Sequence, residues 1–133
     1  MRGMLHRIWI KGWPYTAIVV LAILYLTLVP RPLPSGMDVR IPGIDKLVHA
    51  IMFGGLTFTA SLDMAYRRDG FERLSPRTLA VIAVSSAAFG GIVEVAQGLM
   101  GLGRGCDIWD FVADASGSLL SALLVGRMLS RNP

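Results

Sequence analysis

Ionisable and amide side chains recur at helical spacing in three parts of this 133-residue sequence. The set comprises Asp45, Lys46, His49, Glu94, Gln97, Arg104, Asp107, Asp110 and Asp114. Asp107, Asp110 and Asp114 are three and four residues apart, so an α-helix would align their carboxylates along one stripe. The other two groups also contain pairs three or four residues apart, which share a helix face. Side chains of these types accept and donate hydrogen bonds, transfer protons or hold metal ions.

Four apolar segments must position these side chains. They cover approximately residues 13–29, 44–64, 78–100 and 107–126. Each is near or within the range of roughly 17–25 residues that a helix needs to cross hydrocarbon. The chain is 53% hydrophobic and 17% charged, and its mean hydropathy is +0.57, a composition that favours lipid as the solvent. We therefore predict an all-α, integral membrane four-helix bundle that forms a single domain over residues 1–133.

Lysine and arginine are distributed unevenly between the two ends of these segments. Nine of them lie on the side that holds both chain termini, and four lie on the other side. Because cytoplasmic loops are enriched in Lys and Arg, this distribution predicts both termini in the cytoplasm, an N-in, C-in topology. The net charge of +4 forms no single basic patch, so nucleic acid is not an expected partner.

Two alternatives to this topology are weaker. A cleaved signal peptide would explain the first segment, but that segment is longer than the usual apolar region, and the prolines after it lack a small-residue cleavage site. A soluble helical protein would have to bury all four segments, and a chain this short has too little polar surface to cover them.

The single cysteine, Cys106, excludes an intramolecular disulfide.

With the segments placed in this way, the polar set lies at the outer ends of the second, third and fourth. A charge at the centre of a membrane costs about 2.5–3.5 kcal/mol, so these groups are expected to face one another. Five carboxylates meet only two permanent cations, Lys46 and Arg104, which favours protonated carboxyls or a bound cation. We expect an outward-facing polar pocket.

Each member of the set also has a structural interpretation, which the sequence leaves open. Asp45 and Asp107 could cap helices or carry favourable first-turn charges. Lys46 and Arg104 could extend to the membrane interface as anchors. The deeper residues could form a hydrogen-bond lock between helices, namely Glu94, Gln97, Asp110 and Asp114.

Two motif blocks resemble those of the VanZ-like family of membrane proteins. The first is Asp45-Lys46-x-x-His49-x-x-x-Phe53. The second is Glu94-x-x-Gln97, followed by Arg104-x-x-Asp107-x-x-Asp110-x-x-x-Asp114-x-x-Gly117. Asp114 departs from the family pattern, which usually has Asn there, and it adds a negative charge. The resemblance implies a compact four-helix protein of the bacterial envelope, multi-pass in the cytoplasmic (inner) membrane, in a family named for a member linked to teicoplanin resistance.

The leading functional prediction is that the pocket binds a headgroup. Carboxylates would accept hydroxyls of a membrane lipid or lipid-linked envelope precursor, and Lys46 and Arg104 would meet any phosphate. An alternative is a membrane-embedded hydrolase or transferase that uses acid–base chemistry or a divalent cation. Oxygen ligands suit Mg²⁺ or Mn²⁺, and His49 would admit Zn²⁺. The candidate metal ligands are His49, Glu94, Asp110 and Asp114. A third alternative is a structural or assembly protein.

Overall fold

The computed structural model describes residues 13–29, 43–68, 74–101 and 106–130. These ranges form α-helices and contain no strand. The helices are α1 (Pro14–Leu28), α2 (Ile44–Arg67), α3 (Pro76–Met100) and α4 (Ile108–Ser130). The predicted all-α, four-helix class is confirmed. The second and fourth helices continue to Arg67 and Ser130, past their predicted ends at Met64 and Gly126.

Three of the four helices are long and apolar enough to cross a membrane: α2, α3 and α4, with 24, 25 and 23 residues. The first helix is apolar but has only 15 residues. At 1.5 Å per residue it is about 22 Å long, which is shorter than the roughly 30 Å of a bilayer's hydrocarbon core. A membrane protein is therefore supported by α2, α3 and α4, while the N-in, C-in topology stays a prediction.

The surface and the interior of the bundle show the polarity expected for a lipid environment. Large apolar side chains project outward from all four helices, including Ile18, Ile51, Val84, Ile92, Leu99 and Leu120. Small polar side chains lie inside, including Thr57, Ser61, Ser86, Ser118 and Ser121. Helices in lipid associate through close packing and interhelical polar contacts, because lipid offers no hydrophobic gain from burying leucine.

Helices α2 and α4 pack most extensively against each other, and glycine makes this possible. A Cβ atom at Gly117 would collide with the backbone of Ala50, and one at Gly54 would lie 3.2 Å from the Gly117 carbonyl oxygen. Ala50 and Gly54 are four residues apart, as are Gly117 and Ser121, so both helices present a small-xxx-small face. No side chain can be accommodated at Gly117 without moving α2 away from α4.

Both ends of α1 are attached by polar contacts from other helices. At its start, the buried Asp63 of α2 accepts hydrogen bonds from the Thr16 backbone N–H (2.9 Å) and hydroxyl (2.7 Å). At its end, the Gln97 amide of α3 donates to the Thr27 carbonyl oxygen (2.9 Å). These contacts place the start of α1 beside the end of α2, so α1 and α2 are antiparallel. Between the contacts, Ile23 packs against the buried ring of Phe53.

Helix α3 begins and ends at clear sequence signals. The Ser75 hydroxyl accepts a hydrogen bond from the Thr78 backbone N–H (3.1 Å), and Pro76 occupies the first turn. Gly101 ends the helix at a φ of 62°, in the left-handed region that glycine adopts without strain. The start of α2 lies beside the end of α3 and the start of α4. Helix α3 is therefore antiparallel to α2 and α4, and α2 and α4 begin at the same end of the bundle.

Candidate functional site

Charged side chains from three helices meet at one end of the bundle. They come from the first turns of α2, the last two turns of α3 and the start of α4, which the up-and-down connectivity places together. We call this group the polar cluster: Lys46, His49, Glu94, Asp107, Asp110 and Asp114. The convergence predicted from the sequence is present, and most of these side chains are buried.

His49 is at the centre of the polar cluster. Its Nδ1 lies 2.8 Å from Asp114 Oδ1 and 3.8 Å from Glu94 Oε1. Its Nε2 lies 3.7 Å from Asp110 Oδ2. An ionised carboxylate can only accept a hydrogen bond, so Nδ1 donates to Asp114, and Nε2 is the nitrogen turned toward Asp110. His49 thus joins α2 to both of the other long apolar helices, α3 and α4.

Lys46 occupies the outer part of the cluster and is partly exposed. Its ammonium donates to Asp110 Oδ1 (2.5 Å) and Asp107 Oδ2 (2.7 Å), and it lies 3.4 Å from Asp45 Oδ2. Charge-assisted hydrogen bonds of this kind are shorter and stronger than neutral ones. Lys46 therefore links α2 to the start of α4. Asp45, whose side chain is 67% exposed, lies at the rim of the cluster.

Asp107 both caps a helix and belongs to the polar cluster, which are the two interpretations that the sequence left open. Its Oδ1 caps α4 by accepting the Trp109 backbone N–H (2.9 Å), while its Oδ2 pairs with Lys46. The hydrogen bond from Lys46 holds the pKa of the Asp107 carboxyl below its ordinary value, and the Trp109 N–H acts in the same direction. The Asp107 backbone N–H in turn donates to Glu94 Oε2 (3.2 Å). Asp45, by contrast, lies in the first turn of α2, and the N-cap position of that helix is Gly43.

One predicted site residue that the structure describes, Gln97, lies outside the polar cluster and its rim. Gln97 is buried and its amide nitrogen donates to Thr27, so it holds α1 instead of facing His49. Arg104 lies outside the described residues. Asp63 is not among the predicted site residues, but its carboxylate is buried at the opposite end of the bundle and caps α1. The signal for that role was a carboxylate still within an apolar segment, which needs a partner.

The polar cluster contains carboxylate oxygens that could accept further hydrogen bonds. Glu94 Oε1 and Asp114 Oδ2 are buried and have no hydrogen-bond partner among the residues that the structure describes. Asp114 fits only because residue 90 is glycine, since a Cβ there would lie 2.6 Å from Asp114 Oδ2. The arrangement is chemically suited to accept hydrogen bonds from a ligand, to hold a cation, or to transfer a proton through His49.

Removing the charge of Asp107 is predicted to destabilise the protein, because the carboxylate stabilises the start of α4 in two ways. Asp107→Asn keeps a capping oxygen but loses the charge facing Lys46, and Asp107→Ala loses both. We expect thermal stability in detergent at neutral pH to follow the order wild type, Asn variant, Ala variant.

The stability difference between wild type and Asp107→Asn is also predicted to depend on pH. Because the folded pKa of Asp107 is depressed, its contribution is fully present above the ordinary pKa of 3.8 and is lost as the pH falls through the lower folded value. The gap in melting temperature between wild type and Asp107→Asn should therefore be constant near neutral pH and close in acid below about 3.8. A gap that widens in acid would contradict the Lys46–Asp107 ion pair.

Comparison with known proteins adds no relative to this picture: no protein-family model, no curated protein and no solved structure matches the chain. The similarity to the VanZ-like family stays a prediction that rests on the two motif blocks. The function is therefore inferred from the geometry of the polar cluster.

Proposed function

We propose that this chain is a multi-pass protein of the bacterial inner membrane that binds the polar headgroup of a cell-envelope lipid or lipid-linked precursor at the outer membrane face. One observation carries the proposal. Glu94, Asp110 and Asp114 lie buried around His49 at one end of three helices that are long enough to span a membrane. Charges are expensive at such positions, and residues that retain them there usually serve a function.

The charge balance of the cluster favours a particular headgroup chemistry. Among the described residues of the cluster and its rim, five carboxylates surround one lysine ammonium and one imidazole. Sugar hydroxyls and amines donate hydrogen bonds, so they match unpartnered carboxylate oxygens such as Glu94 Oε1. A phosphate would have to bind at the outer edge, where Lys46 is partly exposed. We favour a glycan- or amine-bearing headgroup.

Apolar side chains next to the cluster provide a surface for the lipid tails. Leu47 and Ile51 on α2 and Phe111 and Val112 on α4 are exposed within one or two turns of the charged residues. A lipid with its headgroup at the cluster would place its acyl chains along these faces, where they remain in the hydrocarbon. The VanZ-like resemblance and its link to teicoplanin resistance agree with an envelope lipid as the ligand.

A second candidate function is a membrane-embedded hydrolase or transferase acting on a lipid-linked substrate. The observation that favours it is the hydrogen bond between Asp114 and His49 Nδ1 (2.8 Å), which orients the ring and turns Nε2 toward Asp110. A carboxylate that fixes an imidazole in this way prepares it to act as a general base. In this function the same pocket would bind the substrate headgroup.

Lipid retention by the purified protein tests the proposed function. Native mass spectrometry of wild-type protein, incubated with bacterial envelope lipids in detergent, should show a retained glycan- or amine-bearing lipid. Glu94→Gln, which removes one charged acceptor, should weaken retention by about tenfold or more. Asp63→Asn is the matched control, because it neutralises a buried carboxylate at the opposite end of the bundle.

The outcomes separate the candidate functions. Absence of any retained envelope lipid in wild type, or equal loss in Asp63→Asn, would contradict headgroup binding at the cluster. Turnover of a lipid-linked sugar or phosphate that disappears in His49→Gln would establish the enzyme instead. If Glu94→Gln lowered thermal stability as much as it lowered lipid retention, the cluster would be a structural lock between helices.

The orientation of the cluster is testable with the native sequence. Cys106 is the single cysteine, is exposed, and lies next to Asp107 at the cluster end of the bundle. With the predicted topology, a membrane-impermeant maleimide should label it in right-side-out vesicles before permeabilisation. Cys106→Ser controls for non-specific labelling. Labelling that requires permeabilisation would place the cluster at the cytoplasmic face and contradict the outward-facing pocket.

A further inference from the structure

The inner part of the polar cluster brings together three metal-ligating side chains, one from each membrane-spanning helix: His49, Glu94 and Asp114. One donor atom from each lies within 4.8 Å of the other two. His49 Nδ1 is 2.8 Å from Asp114 Oδ1 and 3.8 Å from Glu94 Oε1. Donors about 2.0–2.2 Å from a tetrahedral metal ion lie about 3.3–3.6 Å apart, so the observed separations bracket those of a metal site.

An independent observation also indicates that this group binds a ligand. Glu94 is 2% exposed and Asp114 is fully buried, yet Glu94 Oε1 and Asp114 Oδ2 have no hydrogen-bond partner in the described part of the chain. Glu94 Oε1 is the atom that faces His49. Two buried carboxylates close to one another are costly in a membrane interior unless a cation compensates them. In the metal-bound form the imidazole is neutral with its proton on Nε2, which faces Asp110, and the ion takes the place of the Nδ1 proton that is otherwise donated to Asp114. A divalent ion bound by this imidazole and two carboxylates makes the local charge zero.

The neighbouring groups resemble the supporting shell of a metal site. Ligating carboxylates are usually hydrogen-bonded through their other oxygen, and Glu94 Oε2 accepts the Asp107 backbone N–H (3.2 Å). A ligating histidine usually has a carboxylate near its second nitrogen, and Asp110 Oδ2 is 3.7 Å from His49 Nε2. Both features are present around the same three side chains.

A second group with suitable spacing consists of Asp45, His49 and Asp110. There the carboxylates already have a cation: Lys46 lies 2.5 Å from Asp110 and 3.4 Å from Asp45. Asp45 is also largely exposed, so water can solvate its charge. The inner group lacks a lysine contact among the described residues and is buried, which makes it the stronger candidate.

We propose that His49, Glu94 and Asp114 bind one divalent first-row transition-metal ion, Zn²⁺ or Mn²⁺. One imidazole and two carboxylates suit these ions, and three protein ligands leave at least one coordination position for an oxygen of water or of a headgroup. The inference rests on the site that is proposed to bind a headgroup, but metal binding is measured without any lipid.

Metal content and thermal stability of the purified protein test the proposal. The full-length chain in detergent is stripped with a chelator, equilibrated with ZnCl₂ or MnCl₂, desalted and analysed by elemental mass spectrometry. We expect one ion per chain, a melting temperature that falls on chelation, and its recovery when the metal is returned. These measurements on wild type hold even if a ligand variant fails to fold. For Mn²⁺, a protein-bound electron paramagnetic resonance signal provides a second readout.

Near-isosteric variants identify the ligands. Glu94→Gln and Asp114→Asn should weaken metal binding at least about tenfold. Asp45→Asn, which alters the other group, should bind like wild type. Absence of stoichiometric Zn²⁺ and Mn²⁺ in wild type would overturn the proposal, and so would metal loss in Asp45→Asn with retention in Glu94→Gln. Lipid retention by wild-type protein that takes up neither Zn²⁺ nor Mn²⁺ would show that headgroup binding stands while the metal site fails. Stoichiometric metal without retained lipid would show the reverse.

Discussion

The structure depends on the requirement that a charge buried within a membrane protein must find a partner inside the same molecule. A carboxylate near the membrane interior costs kilocalories per mole unless it is paired, so its helix can adopt only rotations that turn it toward the bundle. Glu94, Asp110 and Asp114 impose this requirement on α3 and α4, and His49 imposes it on α2. Their contacts set the rotation of all three helices at one end.

Glycine packing and the polar cluster support one another. The close approach of α2 and α4 at Gly54 and Gly117 brings the start of α2 near the start of α4, which is the distance that His49 and Lys46 must bridge. Gly90 provides the space on α3 that Asp114 occupies. A bundle with larger residues at these positions would hold its helices too far apart for a direct His49–Asp114 hydrogen bond. Close packing thus positions the side chains of the polar cluster.

Much of this arrangement could be predicted from the sequence, and the failures have physical causes. Apolar length predicted four helices, and carboxylates at intervals of three and four residues predicted that α2, α3 and α4 would meet at one end. Gln97 shares a face with Glu94 by spacing, yet it bonds to α1, because a helix packed between several neighbours divides one broad face among them. The role of Asp63 depends on where α1 docks, which no spacing within α2 encodes.

In the metal-free protein, a direct buried hydrogen bond between His49 of α2 and Asp114 of α4 holds the polar cluster together. A double-mutant cycle measures this contact: the free energies of unfolding of wild type, His49→Leu, Asp114→Ala and the double variant are determined in detergent. Residues in direct contact give interaction energies of about 0.5–3 kcal/mol. We predict a coupling within this range. Additive effects of the two substitutions, with a coupling near zero, would contradict a direct contact between His49 and Asp114.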